Sequence, residues 1–399
     1  MPSEDEEGQA QVDCDGLDLR VFPDNITRAA QHLSLQNNQL QELPYNELSR
    51  LSGLRTLNLH NNLISSEGLP DEAFESLTQL QHIYVAHNKL SVAPQFLPRS
   101  LRVADLAANE VTEIFPLTFG EKPALRSVYL HNNQLSNAGL PPDAFRGSEA
   151  VTTLSLSSNR LSYVPPSLPP SLERLHLQDN LISKVPRGAL SRQTHLRELY
   201  LQHNRLADSG LDATTFSKLH CLEYLDLSHN QLAAVPAGLP RTLAVLHLGR
   251  NRIRWRNQLR ALEPEPLAGL DQLQELSLAH NRLRVGDIGP GTWHELQALQ
   301  VLDLSHNELS FVPPDLPEAL EELHLQGNRI SHVGPEAFLS TPRLRALFLR
   351  ANRLHMTSIA PEAFLGLPHL RMVDTTGNPE HVLVRLPPTA PRRPWAGGP

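Results

Sequence analysis

Aliphatic and polar residues follow one short pattern that recurs along the whole chain, and residues 222–232, LEYLDLSHNQL, show it most clearly. Aliphatic side chains hold the first, fourth, sixth and eleventh positions of this segment, and asparagine holds the ninth. Alignment on that asparagine gives fifteen copies, marked by Asn38, Asn62, Asn88, Asn109, Asn133, Asn159, Asn180, Asn204, Asn230, Asn251, Asn281, Asn307, Asn328, Asn352 and Asn378. Such a period predicts a stack of similar units rather than a domain with one central core.

The aliphatic pair at the fourth and sixth positions predicts a short strand with one buried face, because alternate side chains of a strand point to opposite sides. The asparagine follows where the chain leaves the strand, and its amide can bond buried backbone N–H and C=O groups there. One unit cannot bury its leucines alone, so neighbouring units must stack. The pattern therefore predicts leucine-rich repeats in an α/β repeat solenoid. This is a curved horseshoe with parallel β-strands on its concave face and short helical, 3-10 or polyproline segments on its convex face.

The segments between the predicted strands come in three lengths. Successive asparagines lie 24, 26 and 21 residues apart in a fixed cycle, with one exception of 30 residues from Asn251 to Asn281. The 21-residue repeats carry prolines, as in residues 164–169, and these favour an extended return path. Longer repeats carry segments such as 69–74 and 333–338, where proline followed by acidic residues predicts a short helical turn. Four aromatic side chains of such segments are predicted to lie in the core: Phe74, Phe145, Phe338 and Phe364.

Charge and hydropathy exclude several classes of protein. The formal net charge of −8 does not favour nucleic acid binding, since such proteins usually carry a basic stripe. No apolar run reaches the roughly 18 residues that a membrane span needs. Met1 is followed by an acidic tract where a secretory signal has basic and then apolar residues. We therefore expect either a processed form of the protein or a variant translated without its leader.

The repeat pattern divides the chain into three predicted parts. Residues 1–29 form an acidic tail and a truncated N-terminal cap, and residues 30–378 contain the fifteen repeats. Residues 379–399 are rich in proline and are predicted to be disordered. In the last repeat Thr375 stands where the others have leucine. We expect the leucines at this end to be exposed and to promote weak self-association.

The two cysteines offer neither a disulfide nor a nucleophile. Cys14 and Cys221 lie eight repeats apart, roughly 40 Å at about 4.8 Å per strand, whereas a disulfide needs Cα atoms within about 7 Å. Cys221 directly precedes the first leucine of its repeat and is predicted to be a packed thiol. No histidine and acid are arranged beside it as a catalytic nucleophile requires.

Histidine is the residue that most suggests metal chemistry. His203 and His229, and likewise His280 and His306, hold the same position in adjacent repeats, about 5 Å apart, which is a spacing that zinc ligands can have. A zinc site needs further ligands, so the simpler interpretation is a recurrent repeat residue with no metal. No glycine-rich phosphate loop, nucleophile elbow or paired carboxylates are recognisable. We expect no enzymatic activity and no cofactor.

The fifth position of each repeat is expected to project from the strand into the concave face, where nothing in the fold requires an aromatic residue. The residues predicted to bind a partner there are Tyr84, Asp105, Tyr129, Tyr200, Tyr224, Asp226, Asp303 and Phe348, with Tyr224 beside the row. Aromatic rings offer large rigid contact areas and the aspartates offer charge. Tyrosine is also common in strands by propensity alone. A mixed aromatic and acidic surface favours a rod-like protein ligand with basic side chains.

The 30-residue repeat places extra residues in a loop, often at a binding rim. It gathers arginines around a tryptophan: Arg250, Arg252, Arg254, Trp255, Arg256 and Arg260. This cluster is a candidate patch for an anionic ligand such as a sulfated glycosaminoglycan, held by charge pairing. The alternative interpretation is a solvated basic loop without a ligand.

The three-length cycle, the proline-marked short repeats and residues 12–20, VDCDGLDLR, together resemble the small leucine-rich proteoglycans, and within them the podocan class. The resemblance covers residues 12 to about 378. It implies a secreted, non-enzymatic extracellular matrix protein that binds fibrillar collagen through the concave face or influences growth-factor signalling. The family's N-terminal cap carries four cysteines, of which only the last has a counterpart, Cys14. In a secreted protein, Asn25 of the triplet Asn-Ile-Thr is a glycosylation acceptor.

We therefore expect a matrix protein that binds collagen or another matrix protein through its concave face. Two alternatives stay open at this point. One is a modulator of signalling that binds a growth factor or receptor, and the other is an intracellular leucine-rich scaffold, which the missing leader and the unpaired cysteines favour.

Overall fold

The computed structural model describes residues 2–4, 10–254, 266–289 and 291–387. The chain divides into two compact units, Met1–Leu222 and Glu223–Pro399, which we call the first and second units. Each unit is a stack of turns in which one short strand pairs in parallel with the strand of the next turn. Eight repeat asparagines fall in the first unit and seven in the second. The predicted parallel solenoid of leucine-rich repeats is confirmed.

Ten strands form the sheet of the first unit. They are β1 (Pro2–Glu4), β2 (Ala10–Asp13), β3 (Ala30–Ser34), β4 (Thr56–Asn58), β5 (His82–Tyr84), β6 (Val103–Asp105), β7 (Ser127–Tyr129), β8 (Thr153–Ser155), β9 (Arg174–His176) and β10 (Glu198–Tyr200). Strand β1 is antiparallel to β2, and β2 to β10 pair in parallel in chain order. The register places equivalent residues of successive turns side by side, for example Leu57 beside Ile83.

Seven strands form the sheet of the second unit. They are β11 (Tyr224–Asp226), β12 (Val245–His247), β13 (Glu275–Ser277), β14 (Val301–Asp303), β15 (Glu322–His324), β16 (Ala346–Phe348) and β17 (Met372–Asp374). All of them pair in parallel in chain order. The register is unbroken across the longest repeat, where Leu246 of β12 pairs with Leu276 of β13.

Helical structure is confined to short segments between strands. The α-helices are α1 (Tyr45–Ser49) and α2 (Pro116–Phe119), and the 3-10 helices are Asp71–Ser76, Asn137–Gly139, Asp208–Gly210 and Val285–Asp287. The helical turn predicted around residues 69–74 is thus present as a 3-10 helix. The one predicted at residues 333–338 is wrong, since Val333 forms an isolated β-bridge with Ile359 and residues 335–338 form a turn, with backbone hydrogen bonds of 3.4 Å from Ala337 to Gly334 and from Leu339 to Glu336. Residues 361–366, which begin with the same Pro-Glu-Ala-Phe sequence, also form turns, so proline followed by an acid is not sufficient for a helix.

The core of each unit is a column of aliphatic side chains capped by aromatic residues. The middle residue of nearly every strand is buried, as Leu57, Leu175 and Leu323 show. The four phenylalanines that were predicted to lie in the core, Phe74, Phe145, Phe338 and Phe364, are all buried, which confirms that prediction. Phe338 and Phe364 of neighbouring turns stack with ring centroids 5.8 Å apart. Stacked rings add to the burial of apolar area and tie adjacent turns together on the loop side.

The repeat asparagines form a continuous ladder within each unit. The Nδ2 of Asn62 donates to the carbonyl oxygen of Leu35 in the preceding turn at 2.9 Å and to that of Leu59 in its own turn at 3.1 Å. Its Oδ1 accepts the N–H of Leu40 in the preceding turn at 3.1 Å. One buried side chain therefore satisfies backbone groups of two turns, as predicted from the position of the asparagine after the strand.

The residue just before each ladder asparagine has a left-handed backbone conformation in every one of the fifteen turns. These residues are Asn37, Asn61, His87, Ala108, Asn132, Ser158, Asp179, His203, His229, Arg250, His280, His306, Gly327, Ala351 and Gly377. Asparagine, aspartate, histidine and glycine tolerate positive φ better than other residues, and they fill eleven of these positions. Backbone geometry therefore explains the recurrent His-Asn pairs without any metal.

Three glycines lie where the loop of one turn crosses the backbone of the turn before. A Cβ placed on Gly139 would lie 2.0 Å from the carbonyl oxygen of Thr112, and one on Gly68 or Gly210 would lie 2.2 or 2.1 Å from a backbone oxygen. The carbonyl of Gly139 also accepts the N–H of Ile114 at 2.9 Å. Only glycine permits this close approach between the two backbones.

The N-terminal segment covers the first turn of leucines. Strand β2 pairs with β3, and Phe22 and Ile26 are buried. The backbone N–H groups of Leu17 and Leu19 both donate to the Oδ1 of Asn38 at 3.0 Å, so the cap joins the asparagine ladder. These contacts give the first leucines the cover that an end repeat requires.

Both cysteines are free, and their surroundings differ. Cys14 is partly buried, and burial raises the pKa of its thiol. Cys221 is exposed, so the prediction of a packed thiol is wrong. It lies in the turn before β11, where His220 is also exposed, and the next residue, Leu222, is fully buried.

The last turn of the second unit is less completely covered than the others. Val373 in the middle of β17 is partly exposed, whereas Leu347 in β16 is fully buried. Of the tail predicted from residue 379, the structure describes 379–387, and residues 388–399 lie outside the described part of the chain. Within it Val382 is buried, and the N–H of Leu383 donates to the carbonyl of Met356 at 3.1 Å.

Candidate partner-binding face

From β4 to β16 each strand buries its middle side chain, and its first and last side chains lie on the opposite side of the sheet. In β5, β6 and β7 the middle residue is buried and both flanking residues are partly exposed. We call this side, built from the first and last residues of the strands, the open face. The fifth position of each repeat is the last residue of its strand and therefore lies on the open face.

Two tyrosines and an aspartate lie side by side on the open face of the first unit. Tyr84 pairs with Asp105 in the strand register, and Asp105 pairs with Tyr129. The Oδ1 of Asp105 accepts the N–H of Ala107 at 3.0 Å, which fixes the carboxylate. Burial, followed by the charge of Asp105, raises the pKa of the Tyr84 hydroxyl. Tyr84 therefore stays a neutral phenol across the physiological pH range.

Histidine rings support Tyr84 from two sides. The ring of His60 lies 5.3 Å from that of Tyr84, tilted by 54°, and the ring of His82 lies stacked at 6.3 Å. The Nδ1 of His60 accepts the N–H of Ala86 at 2.9 Å, so its Nε2 carries the proton and lies 3.8 Å from the Oδ2 of Asp105. Burial lowers the pKa of His60, which keeps the imidazole neutral at pH 7.

Tyr200 belongs to a second aromatic group in the same unit. Its ring stacks on His176 with centroids 4.3 Å apart and planes 6° from parallel. Its hydroxyl donates to the Oε1 of Glu198 at 2.6 Å, and the Oε2 of Glu198 pairs with Arg174. Burial lowers the pKa of His176. The ring of Tyr200 is therefore held rigidly before any partner arrives, which reduces the entropy lost on binding.

On the open face of the second unit, Tyr224 and Asp226 lie beside His247. The rings of Tyr224 and His247 meet edge to face at 5.5 Å, and the Nδ1 of His247 lies 3.6 Å from the Oδ2 of Asp226. Hydrogen bonding to Asp226 is the main cause that raises the pKa of His247, against burial, with Glu275 adding to it. Burial alone would raise the pKa of Asp226, but hydrogen bonds from His247 and Ser228 outweigh it and lower that pKa.

We predict that His247 titrates above the ordinary histidine value of 6.5. Because its folded pKa is raised, the stability that it contributes is fully present below about pH 6.5 and is lost as the pH rises through the raised value. Titration of the His247 ring protons by NMR measures this pKa directly. Replacement of Asp226 by asparagine should lower it, and Glu275→Gln should lower it less. A His247 pKa at or below 6.5 in the unmodified chain contradicts the prediction.

Asp303 and Phe348 occupy different surroundings on the open face of the second unit. Asp303 lies between Ser277 and His324 in the strand register, and its Oδ1 accepts the N–H of Ser305 at 2.9 Å. The ring of Phe348 stacks on His324 with centroids 4.3 Å apart and planes 3° from parallel. The structure thus places every aspartate and aromatic residue of the predicted site on the open faces, but it distributes them between two units.

Stacking histidines are the open-face feature that sequence reasoning missed. His176, His247 and His324 each contact an aromatic residue of the open face in a neighbouring turn, Tyr200, Tyr224 and Phe348 respectively. The signal was present, since these histidines hold the fifth position of their repeats. Instead of binding a metal, these histidines contact tyrosine and phenylalanine rings of neighbouring turns.

The described residues hold no group of three or more side chains that could bind a metal ion. His280 and His306 stack with ring centroids 4.1 Å apart, as their shared position in adjacent turns predicted. Two grooves on the loop side enclose about 120 and 330 Å³; the first is lined largely by proline and aromatic residues such as Pro165 and Tyr163. The second is lined by residues that include Phe311, His332 and Glu336.

The structure describes three arginines of the arginine cluster and the glycosylation acceptor. Arg252 and Arg254 are exposed, and the Nη2 of Arg250 lies 3.5 Å from the Nε2 of His280. The remaining members of the cluster, Trp255, Arg256 and Arg260, lie outside the described residues. Asn25 is exposed in a left-handed conformation at φ 64°. Its side chain is therefore accessible to a modifying enzyme.

The chain is similar in sequence to a known protein family and to known proteins. The leucine-rich repeat family model matches residues 28–90, 99–165, 170–232, 255–309 and 318–379. Podocan-like protein 1 of Mus musculus is 62% identical over 94% of this chain and 91% of its own length. Podocan-like protein 1 of Homo sapiens is 72% identical over 94% of this chain and 72% of its own length.

Among solved structures, a leucine-rich repeat protein of Leptospira interrogans is similar, with a TM-score of 0.75 and 25% sequence identity. The similarity covers 93% of this chain and 90% of that one. Among the described residues, no helix combines the length and the apolar character that crossing a membrane requires.

Proposed function

The chain belongs to the podocan class of the small leucine-rich proteoglycans, and from this premise we propose that it binds fibrillar collagen through the open face of its strands. Membership of this family makes it a non-enzymatic leucine-rich repeat protein of the extracellular matrix. The observation that supports the proposal most is the set of aromatic rings on the open face, several of them held by stacked histidines.

The chemistry of the open face suits an extended ligand with basic side chains. Tyrosine and phenylalanine rings bury large areas while losing little side-chain entropy, so they often dominate binding energy. Asp105, Asp226 and Asp303 add negative charge between them, and each uses one oxygen to accept the N–H two residues further on. A triple helix is rigid, long and regularly charged. It can therefore contact several turns of a unit at once.

Replacement of both Tyr129 and Tyr200 by alanine is expected to weaken collagen binding at least tenfold, which is about 1.4 kcal/mol. The reason is the loss of two rigid rings from the open face of the first unit. Binding of the purified chain to immobilised triple-helical collagen measures the effect, with heat-denatured collagen as the reference surface. Tyr45→Ala is the matched control, since Tyr45 is an exposed tyrosine on helix α1 and not on the open face.

The outcomes of this experiment separate the candidate functions. Saturable binding to the triple helix that is reduced in the double variant and unchanged in Tyr45→Ala supports the proposal. Equal binding by all three proteins would show that the side chains of Tyr129 and Tyr200 do not contribute to collagen binding. No binding by a folded sample counts against collagen, and a growth factor or receptor then becomes the partner to test.

Two further parts of the proposal concern the matrix environment. We propose that the chain is secreted, as its homologues are, and that Asn25 then carries a glycan. We also propose that a sulfated glycosaminoglycan binds beside Arg252 and Arg254, which are exposed. Charge pairing of this kind weakens as the salt concentration rises, so elution from a heparin column tests it.

A further inference from the structure

Asp105 lies between two tyrosines on the open face of the first unit, and we call the space between these tyrosines the cleft. Tyr84 and Tyr129 are the neighbours of Asp105 in the two adjacent strands. Since neighbouring strands lie about 4.8 Å apart, the two tyrosine backbones are separated by about 9.6 Å. A planar group that contacts a ring on each side needs about 3.5 Å per contact, or about 7 Å in total. The gap between the tyrosines therefore has room for one planar group.

The residues that follow strands β5 and β6 beside the cleft have small side chains. Ala86 and Ala107 follow β5 and β6 by two residues, and they are 5% and 3% exposed. The equivalent positions of the turns on either side carry the larger residues His60 and His131. The surface at the ends of β5 and β6 is therefore recessed between His60 and His131.

The carboxylate in the cleft has no cationic partner in the part of the chain that the structure describes. No lysine or arginine among the described residues forms an ion pair with Asp105, whose side chain is 21% exposed. Its neighbour His60 is neutral at pH 7, and the Nε2 of His60 stays 3.8 Å from the Oδ2, too far for a hydrogen bond. The Oδ2 of Asp105 is therefore an anionic acceptor that a ligand can still engage.

The two tyrosine hydroxyls are also uncommitted. Within the described part of the chain, neither the Tyr84 nor the Tyr129 hydroxyl makes a hydrogen bond, whereas the Tyr200 hydroxyl donates to Glu198 at 2.6 Å. Tyr200 is thus arranged as a rigid contact, while the hydroxyls of Tyr84 and Tyr129 stay available to a ligand. Their rings contact His60, His82 and His131, none of which belongs to the turn of Asp105 that lies between the two tyrosines.

We propose that the cleft between Tyr84, Asp105 and Tyr129 binds one arginine side chain of a protein partner. The proposal rests on the proposed function, because it names the side chain that the open face selects. A guanidinium is planar, stacks on aromatic faces and donates several hydrogen bonds in its plane to a carboxylate. An ammonium group is compact and strongly hydrated, so it uses the two ring faces less well.

The test uses N-acetyl-arginine-methylamide as the probe and the full chain with ¹³C-labelled tyrosine rings. Tyr84→Phe and Tyr129→Phe assign the two signals. We expect saturable shifts of both signals with the arginine probe, weaker shifts with the lysine analogue and none with the neutral citrulline analogue. Asp105→Asn should lower the affinity at least fivefold. Asp179→Asn should leave it unchanged, because Asp179 is exposed in the same unit but follows strand β9 and does not belong to the open face.

Three results overturn the inference: equal shifts with citrulline, equal affinity for the lysine analogue, or no effect of Asp105→Asn. Collagen binding of the same variants distinguishes this inference from the proposed function. If the unmodified chain binds collagen and Asp105→Asn binds it equally well, the arginine cleft alone is contradicted. If the arginine probe binds as expected and collagen does not, the proposed partner alone is contradicted.

Discussion

Replacement of Asn133 by alanine is expected to lower the free energy of unfolding of the first unit by about 3–5 kcal/mol. The Oδ1 of Asn133 accepts the N–H of Val111 at 2.9 Å, and its Nδ2 donates to the carbonyls of Leu106 and Leu130 at 3.0 Å each. Alanine leaves the buried N–H of Val111 without a partner, which costs about 1–3 kcal/mol. It also removes one hydrogen bond to each carbonyl, at about 1 kcal/mol each, although Leu106 keeps the Nδ2 of Asn109 and Leu130 keeps that of Asn159 at 3.0 Å.

Urea unfolding measures the stability of the whole unit, and hydrogen exchange measures the protection of a single amide. Urea gives the loss of stability, and the Val111 amide should exchange faster because its acceptor is gone. Asn46→Ala is the matched control, since Asn46 is exposed on helix α1 and should change stability by less than about 0.5 kcal/mol. Asn133→Asp should cost at least as much as alanine at neutral pH, because it places a buried carboxylate against the carbonyl oxygens of Leu106 and Leu130. Equal stability of the Asn133→Ala and Asn46→Ala proteins would show that the ladder is not a main source of stability.

Replacement of Gly139 by alanine is expected to cost about 3 kcal/mol, although it adds only a methyl group. The new Cβ would lie 2.0 Å from the carbonyl oxygen of Thr112, and that atom belongs to the backbone of the preceding turn. The two backbones must move apart, which also strains the 2.9 Å hydrogen bond from Ile114 to Gly139.

Gly53→Ala provides the control for this change in the same unit. A Cβ on Gly53 would meet only backbone oxygens at 3.7 and 3.8 Å, which are ordinary contacts. We expect no loss of stability there, because alanine also restricts the unfolded chain. Thermal or urea unfolding of the two variants makes the comparison. If both lose the same amount, close backbone approach does not limit residue 139.

The parts of the fold that were predicted correctly are those decided within one repeat. The alternation of leucines specified which side of each strand is buried, and the asparagine after each strand specified the ladder. The sequence was a poorer guide to the structure of the turns between the strands. Residues 333–338 were predicted to be helical from their proline and acid, but residues 335–338 form a turn, as does the similar segment 361–366. Cys221 was assigned to the core by its nearness to Leu222, although it lies in an exposed turn beside His220.

The candidate face was predicted as a row of positions and not as a set of contacts. Strand register alone places Asp105 between two tyrosines, so this arrangement was readable from the repeat alignment. The stacking of His176 on Tyr200 depends on side-chain rotamers in two neighbouring turns, and periodicity carries no information on those. The left-handed position before each ladder asparagine was likewise visible only in the backbone angles.

The ladder makes the length of each loop independent of the stacking of the turns. The repeat that ends at Asn281 is the longest, yet the Nδ2 of Asn281 reaches Leu248 at 2.9 Å and its Oδ1 accepts the N–H of Ile253 at 2.9 Å. These distances match those at Asn62 and Asn133, whose repeats are shorter. Residues can therefore be inserted into a loop during evolution without disturbing the neighbouring strands. A protein of this design can acquire a new contact surface on one turn while its scaffold stays unchanged.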